Sequence, residues 1–191
     1  MATEYEWKFR GTDALLEAID RAFPVPFETL SMETVYYDTP ELSLSSLRYT
    51  LRKRQENGIF VCTLKTPAGN ARGEWEQVWD CIETFVANLP TLGAPDISRL
   101  TETGLIPICG AKFTRIAKTI TLSEGVVELA LDRGYLTGGN QKTPFCEVEV
   151  ELKSGSEQLC DGFAKELAER FSLTPEKKSK FRRALDLYKG E

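Results

Sequence analysis

The chain has 191 residues, with 24 lysines and arginines against 29 aspartates and glutamates, no histidine and a net charge of −5. Without histidine there is no Ser-His-Asp triad, Cys-His dyad, H-E-x-x-H zinc site or imidazole acid–base step, and the acidic balance argues against a general nucleic-acid binder. The five cysteines are scattered with no C-x-x-C, as expected of reduced thiols in a cytoplasmic protein. No apolar run approaches the ~20 residues of a membrane span. The acidic start lacks the apolar stretch of a secretory signal. A hydrophobic fraction of 41% is enough to core one large domain.

Residues 3–10 read as a first strand. Thr12 then caps a helix to Phe23, with Leu15, Leu16, Ile19 and Phe23 on one face, and Pro24 and Pro26 end it. Residues 32–38 predict a strand that stops at Asp38-Thr39-Pro40. Residues 47–55 and 59–66 predict a hairpin turning at Asn57-Gly58. Another strand covers 73–79. The proline-bearing stretch 81–110 reads as irregular with short helices. A second hairpin joins 112–122 to 126–133, and 144–153 is the last strand. Ser156 caps a helix to Phe171, and Ser179–Tyr188 is helical again. Eight strands joined largely by hairpins, with helices in three places, make an α+β protein built on an antiparallel sheet.

Along these strands, charge falls on every second residue, which places it on one face. The first strand offers Glu4, Glu6 and Lys8, the first hairpin Arg52, Arg54 and Lys65, and the next strand Glu74 and Glu76. Then come Arg115, with Ile116, Ile120 and Leu122 on the opposite face, followed by Glu128 and Asp132, and finally Glu147, Glu149 and Glu151. Any single stretch could be an ordinary solvated strand face. Several together, in both signs, predict a curved sheet whose charged faces converge. Lys180 beside Ser179 joins the basic set, whereas Lys177, Lys178, Arg182 and Arg183 read as solvated helix charges. Burying either set alone costs several kcal/mol per ion, roughly. Together they suit a polyanion with divalent cations: arginine and lysine hold phosphate oxygens, and carboxylates hold a hard ion. No G-x-x-x-x-G-K-[ST] or G-x-G-x-x-G loop offers another phosphate site.

The opening E-x-E-x-K resembles the signature of the CYTH domain, the triphosphate tunnel metalloenzymes. Y-Y-D-T-P, L-R-K-R, T-L-K, R-G-E-W-E, the lone Arg115, L-D-R-G, E-V-E-V-E-L-K-S-G and K-S-K-F follow in the family's order over nearly the whole chain. The resemblance implies an eight-stranded antiparallel β-barrel forming a tunnel, as one domain over residues 1–191. It is nearest to bacterial inorganic triphosphatases, and no helical CHAD domain is expected here. It further implies hydrolysis of inorganic triphosphate with Mg²⁺ or Mn²⁺, two ions being expected, and no covalent intermediate. Glu4, Glu6, Glu149 and Glu151 would bind metal, with Glu147 a further ligand. Lys8, Arg52, Arg54, Lys65, Arg115 and Lys180 would bind the triphosphate. Glu74, Glu76 and Asp132 would orient basic side chains or help place a second metal and the water, and Lys8 the attacked phosphoryl group or the water. Alternatives stay open: an adenylate cyclase, a thiamine- or nucleoside-triphosphatase of the same fold, a non-catalytic polyphosphate- or nucleotide-binding module, or a structural barrel with internal salt bridges. The protein is expected to be a monomer or homodimer, with no nucleic-acid or membrane partner.

Overall fold

A computed structural model describes residues 5–68 and 71–191. Its strands are β1 (Glu6–Arg10), β2 (Phe27–Asp38), β3 (Thr50–Glu56), β4 (Ile59–Ala68), β5 (Ala71–Val78), β6 (Ile106–Leu122), β7 (Gly125–Gly138), β8 (Gln141–Ser154) and β9 (Thr174–Pro175). Its helices are α1 (Asp13–Ala22), α2 (Ser43–Ser46), α3 (Ile82–Asn88), α4 (Glu157–Phe171) and α5 (Lys180–Lys189). The strands form one sheet in the order β5-β4-β3-β2-β6-β7-β8-β1-β9, with every pair antiparallel. The α+β class is as expected. The count is nine rather than eight because Thr174 and Pro175 pair with Arg10 and Phe9. Among the described residues no ladder joins β5 to β9, so backbone hydrogen bonds leave the sheet open where a closed barrel was expected.

Local chemistry accounts for most element ends. Thr12, Ser156 and Ser179 each accept from the amide three residues on, at 3.3, 3.2 and 3.1 Å, capping α1, α4 and α5. Each such cap is worth about 1 kcal/mol. Asn57 and Gly58 both have positive φ, the geometry of a tight hairpin between β3 and β4. β6 starts six residues earlier than the sequence suggests, because Pro107 disguised it. The register shift between Tyr36 and Tyr37 lets β2 pair past that proline.

Three apolar clusters fix the layers. On the outer face, Leu16 and Ile19 of α1 and Ala164 and Leu167 of α4 cover Val127, Leu129, Val148 and Val150. Ile82, Phe85 and Val86 of α3 cover Leu51 and Leu64. On the inner face, Ala184 and Leu185 of α5 fill one end, against Met32, Tyr36, Phe113, Leu136 and Phe145. The rest of that face is left to the charged residues. Lys118, outward and buried, pairs with Asp20 at 2.6 Å and donates to the carbonyls of Asp20 and Phe23, closing the C-terminal end of α1.

Candidate active site

One cavity of about 90 Å³ collects side chains from six strands and α5: Glu6 and Lys8, Tyr36, Arg52 and Arg54, Lys65, Arg115, Glu149 and Lys180 among them. β4 and β1 lie six places apart in the sheet order, which in a flat sheet is roughly 29 Å. Lys65 and Glu6 nevertheless line the same cavity, so the sheet curls around it. All six cations expected to bind phosphate reach this cavity. A larger groove of about 380 Å³, lined by Glu33, Lys112 and Tyr135 on the opposite face, gathers no such set.

Lys180, the first residue of α5, is buried at the acidic end of the cavity. Its ammonium lies 2.8 Å from Asp132 and 2.7 Å from Glu149, and it also contacts Glu147. Arg115 grips Asp132 through two bonds of 2.7 and 2.8 Å and reaches Glu149. Arg183 reaches Glu147 from the next turn of α5. Arg183 is therefore not the solvated helix charge the sequence suggested: α5 packs across the inner face, chiefly on β6 and β7, and that turns Arg183 toward Glu147.

Three carboxylates thus face three cations away from water. Burial pushes the Glu147 carboxyl up to about 7 despite Lys180 and Arg183. Burial would raise Glu149 as well, but Lys180 and Arg115 overcome it and hold that carboxyl well below the usual range. The pair therefore divides unequally, with the charge seated on Glu149. Burial works against the Lys180 ammonium, yet Asp132, Glu149 and Glu147 keep it protonated far above the ordinary lysine range.

The basic end differs. Arg52 donates to Thr63 at 3.3 Å and lies 3.9 Å from Glu74, while Arg54 donates to Thr34 at 3.2 Å and to Glu56 at 3.3 Å. Lys65 is 3.2 Å from Glu74. Burial, and next the neighbouring Arg52, pull the Arg54 guanidinium below its ordinary value. Two half-buried guanidiniums side by side, with one nearby carboxylate each, form a region that gains from an anion. Glu76, on the same face, is exposed.

Asp132, Glu147 and Glu149 offer oxygen atoms within 4.8 Å of one another. The donor set is all carboxylate, which suits a hard divalent ion. Lys180 contacts all three of those carboxylates, however, while Glu6 pairs with Lys8 at 2.7 Å and Glu151 with Lys153 at 2.9 Å. Glu6 stands opposite Glu151, and Lys8 opposite Glu149, in the β1–β8 register. Glu4 lies outside the described residues.

Sequence reasoning missed two groups. Tyr36 is buried in the cavity wall against Phe181, its ring 4.9 Å from that of Phe181, and burial raises its hydroxyl pKa. Asp161 of α4 accepts from Tyr5 at 2.6 Å and from Trp7 at 2.8 Å, clamping the strand that carries Glu6 and Lys8. Tyr36 shares the inward parity of Thr34, which was the available signal. Nothing in the sequence ties Asp161 to β1.

A CYTH domain model matches residues 2–185. The chain belongs to the CYTH family. A curated relative, the inorganic triphosphatase of Haemophilus influenzae, is 29% identical over 135 residues; the match takes in 69% of this CYTH chain and 38% of the relative's length. A Bacillus halodurans protein named as a candidate adenylate cyclase superposes with a TM-score of 0.65 at 19% identity, over 95% of this chain and 96% of that one. A Hippeastrum protein, named as a candidate adenylyl cyclase with a dominant triphosphatase activity, gives 0.64 at 17% identity, over 98% and 96%. At these identities the two structures show a shared fold. No helix among the described residues is long and apolar enough to cross a membrane.

Proposed function

We propose that this CYTH protein hydrolyses inorganic triphosphate to pyrophosphate and phosphate, with the curled sheet serving as the family's eight-stranded tunnel. The observation that carries the reading is the cavity itself: six cations from β1, β3, β4, β6 and α5 converge with Glu6 and Glu149. The similarity to an inorganic triphosphatase supports it.

Arg52 and Arg54 hold phosphate oxygens through their forked N–H groups, and Lys65 and Lys8 add point charges. Glu74 orients Lys65 and Arg52. Asp132 aligns Arg115 by its bidentate contact, so that Arg115 and Lys180 mark the border between phosphate and carboxylates. Glu6, Glu149 and Glu151, with Glu4 ahead of them, are the residues that would hold Mg²⁺ or Mn²⁺, while Glu147 anchors Lys180 and Arg183. Bound there, such an ion would supply charge neutralisation between phosphate oxygens and a polarised water. The protein's own part is to exclude bulk water and to align the chain for in-line attack, with the cations covering the charge that develops on the departing pyrophosphate. Lys8, paired with Glu6 and lining the cavity with the other cations, would hold the attacked phosphoryl group or the water.

The test is phosphate and pyrophosphate release from inorganic triphosphate, ATP and thiamine triphosphate with Mg²⁺, Mn²⁺ or EDTA. Metal-dependent turnover that prefers inorganic triphosphate and is lost in Glu4→Gln/Glu6→Gln supports the reading. Cleavage or cyclisation of ATP moves the protein to a nucleotide-using activity, and tight binding without turnover makes it a binding module.

A further inference from the structure

A second cavity of about 370 Å³ adjoins the charged one and shares Lys8, Thr50, Ser179 and Phe181 with it. Of its ten lining residues among the described ones, five are cations and none is a carboxylate, in a protein whose net charge is −5. Lys178 and Arg182 are steadied by Asp186 at 2.8 and 2.9 Å, and Lys8 by Glu6. Arg48 and Lys177 have no ion-pair partner among the described residues. Arg48 is also held at φ 60°, a left-handed conformation that costs a non-glycine residue about 1 kcal/mol or more and persists only where the surroundings impose it. Here they do. Asp38 accepts from the amides of Thr39, Leu44 and Ser45 and from the Ser45 hydroxyl, fixing α2, and the Arg48 amide then bonds to the Ser45 carbonyl at 3.0 Å.

We propose that this adjoining cavity is a subsite for linear phosphate chains longer than three units. The charged cavity takes the terminal phosphates and Arg48, Lys177, Lys178 and Arg182 take the rest. The inference rests on reading the charged cavity as the triphosphate site. A nucleoside is the weaker occupant: Phe181 already packs on Tyr36, and unpaired cations gain more from phosphate than from a neutral base.

Calorimetry compares tripolyphosphate with a short-chain linear polyphosphate, on the wild-type protein and on Arg48→Gln/Lys177→Gln, in EDTA and again with Mg²⁺. The expected result is a Kd for the longer chain raised about tenfold in the variant, the scale of two partly exposed charge contacts, with tripolyphosphate binding unchanged. Equal weakening of both ligands, or of neither, overturns the subsite. Binding without turnover leaves the comparison intact, so loss of the hydrolase reading and loss of the subsite give different results. Arg48→Gly, which relieves the positive φ, serves as a second variant and is expected to show the same selective loss without loss of thermal stability.

Discussion

Replacing Lys180 with methionine tests whether the inner face is held by charge balance. In the wild type Asp132, Glu147 and Glu149 face Lys180, Arg115 and Arg183. Lys180→Met keeps most of the side-chain volume and leaves three carboxylates against two cations, all largely out of water. Removing one partner of a buried pair costs roughly 3–5 kcal/mol. Arg115 and Arg183 remain to cover part of the charge, so the lower end, about 3 kcal/mol, is expected. For a chain of this size that lowers Tm by about 6–12 °C. Adding Glu147→Gln restores a two-to-two balance and is expected to recover more than half of the loss, which a double-mutant cycle in calorimetry reads directly. A single-variant Tm within about 2 °C of wild type, or a double variant no more stable than Lys180→Met alone, would refute the charge-balance argument.

Arg52→Gln should raise the KM for inorganic triphosphate about 10- to 100-fold, the range of a charge-assisted contact. It should leave Tm unchanged or higher, since it relieves the repulsion felt by Arg54; kinetics and melting together check the sign. Glu176 binds Arg10 at 3.0 Å, lies 3.9 Å from Arg183 and accepts from the Lys178 amide at 2.9 Å. Burial alone would raise its pKa, but that amide, Arg183 and Arg10 hold it below the usual value of 4.5. A depressed carboxylate stabilises the fold above its unfolded pKa and loses that contribution as pH falls through the folded one. Glu176→Gln should therefore cost about 1–2 kcal/mol at pH 7 and flatten the fall in stability below pH 4.5, measured by urea denaturation across pH. At Gly134 a Cβ would lie 2.1 Å from the Lys112 carbonyl oxygen and 2.5 Å from the Phe113 Cα. Gly134→Ala is expected to force β6 and β7 apart beside Arg115 and Asp132, reducing both Tm and triphosphate binding; an unchanged calorimetric profile would speak against that.

The cavity was legible in the sequence because strand parity is rigid. Once Glu6-Trp7-Lys8 or Arg52-Lys53-Arg54 is a strand, its alternate residues must share a face, and the register pairs Lys8 with Glu149 and Lys65 with Glu74 accordingly. The same rule put Ile116 and Ile120 outward, under α1 and α4. Relations set by tertiary packing were not legible. Arg183 lies on a helix whose charges repeat along its length, and only the docking of α5 inside the sheet turns it toward Glu147. The early start of β6 was hidden by Pro107, whose missing amide is tolerated beside a register shift at Ile108, which sequence alone does not reveal. Asp161 touches β1 from more than 150 residues away in sequence.

The inner face carries charge for two different reasons, and sequence alone cannot separate them. At the α5 end, the carboxyls of Asp132, Glu147 and Glu149 are each in contact with Lys180, Arg115 or Arg183, and these contacts fix where the helix sits. At the β3–β4 end the guanidiniums of Arg52 and Arg54 stand close together, with Glu74 3.9 Å from Arg52 and Glu56 3.3 Å from Arg54. A face optimised only for stability would place an acid between them or replace one arginine, because burial first, and then the neighbouring Arg52, lower the pKa of Arg54. Positive charge only partly offset by acids, beside a cluster of close ion pairs, is the arrangement that a multiply charged anion stabilises. On the proposed reading, the affinity of the cavity for triphosphate depends on α5, since Lys180 joins the carboxylate cluster and lines the cavity as well.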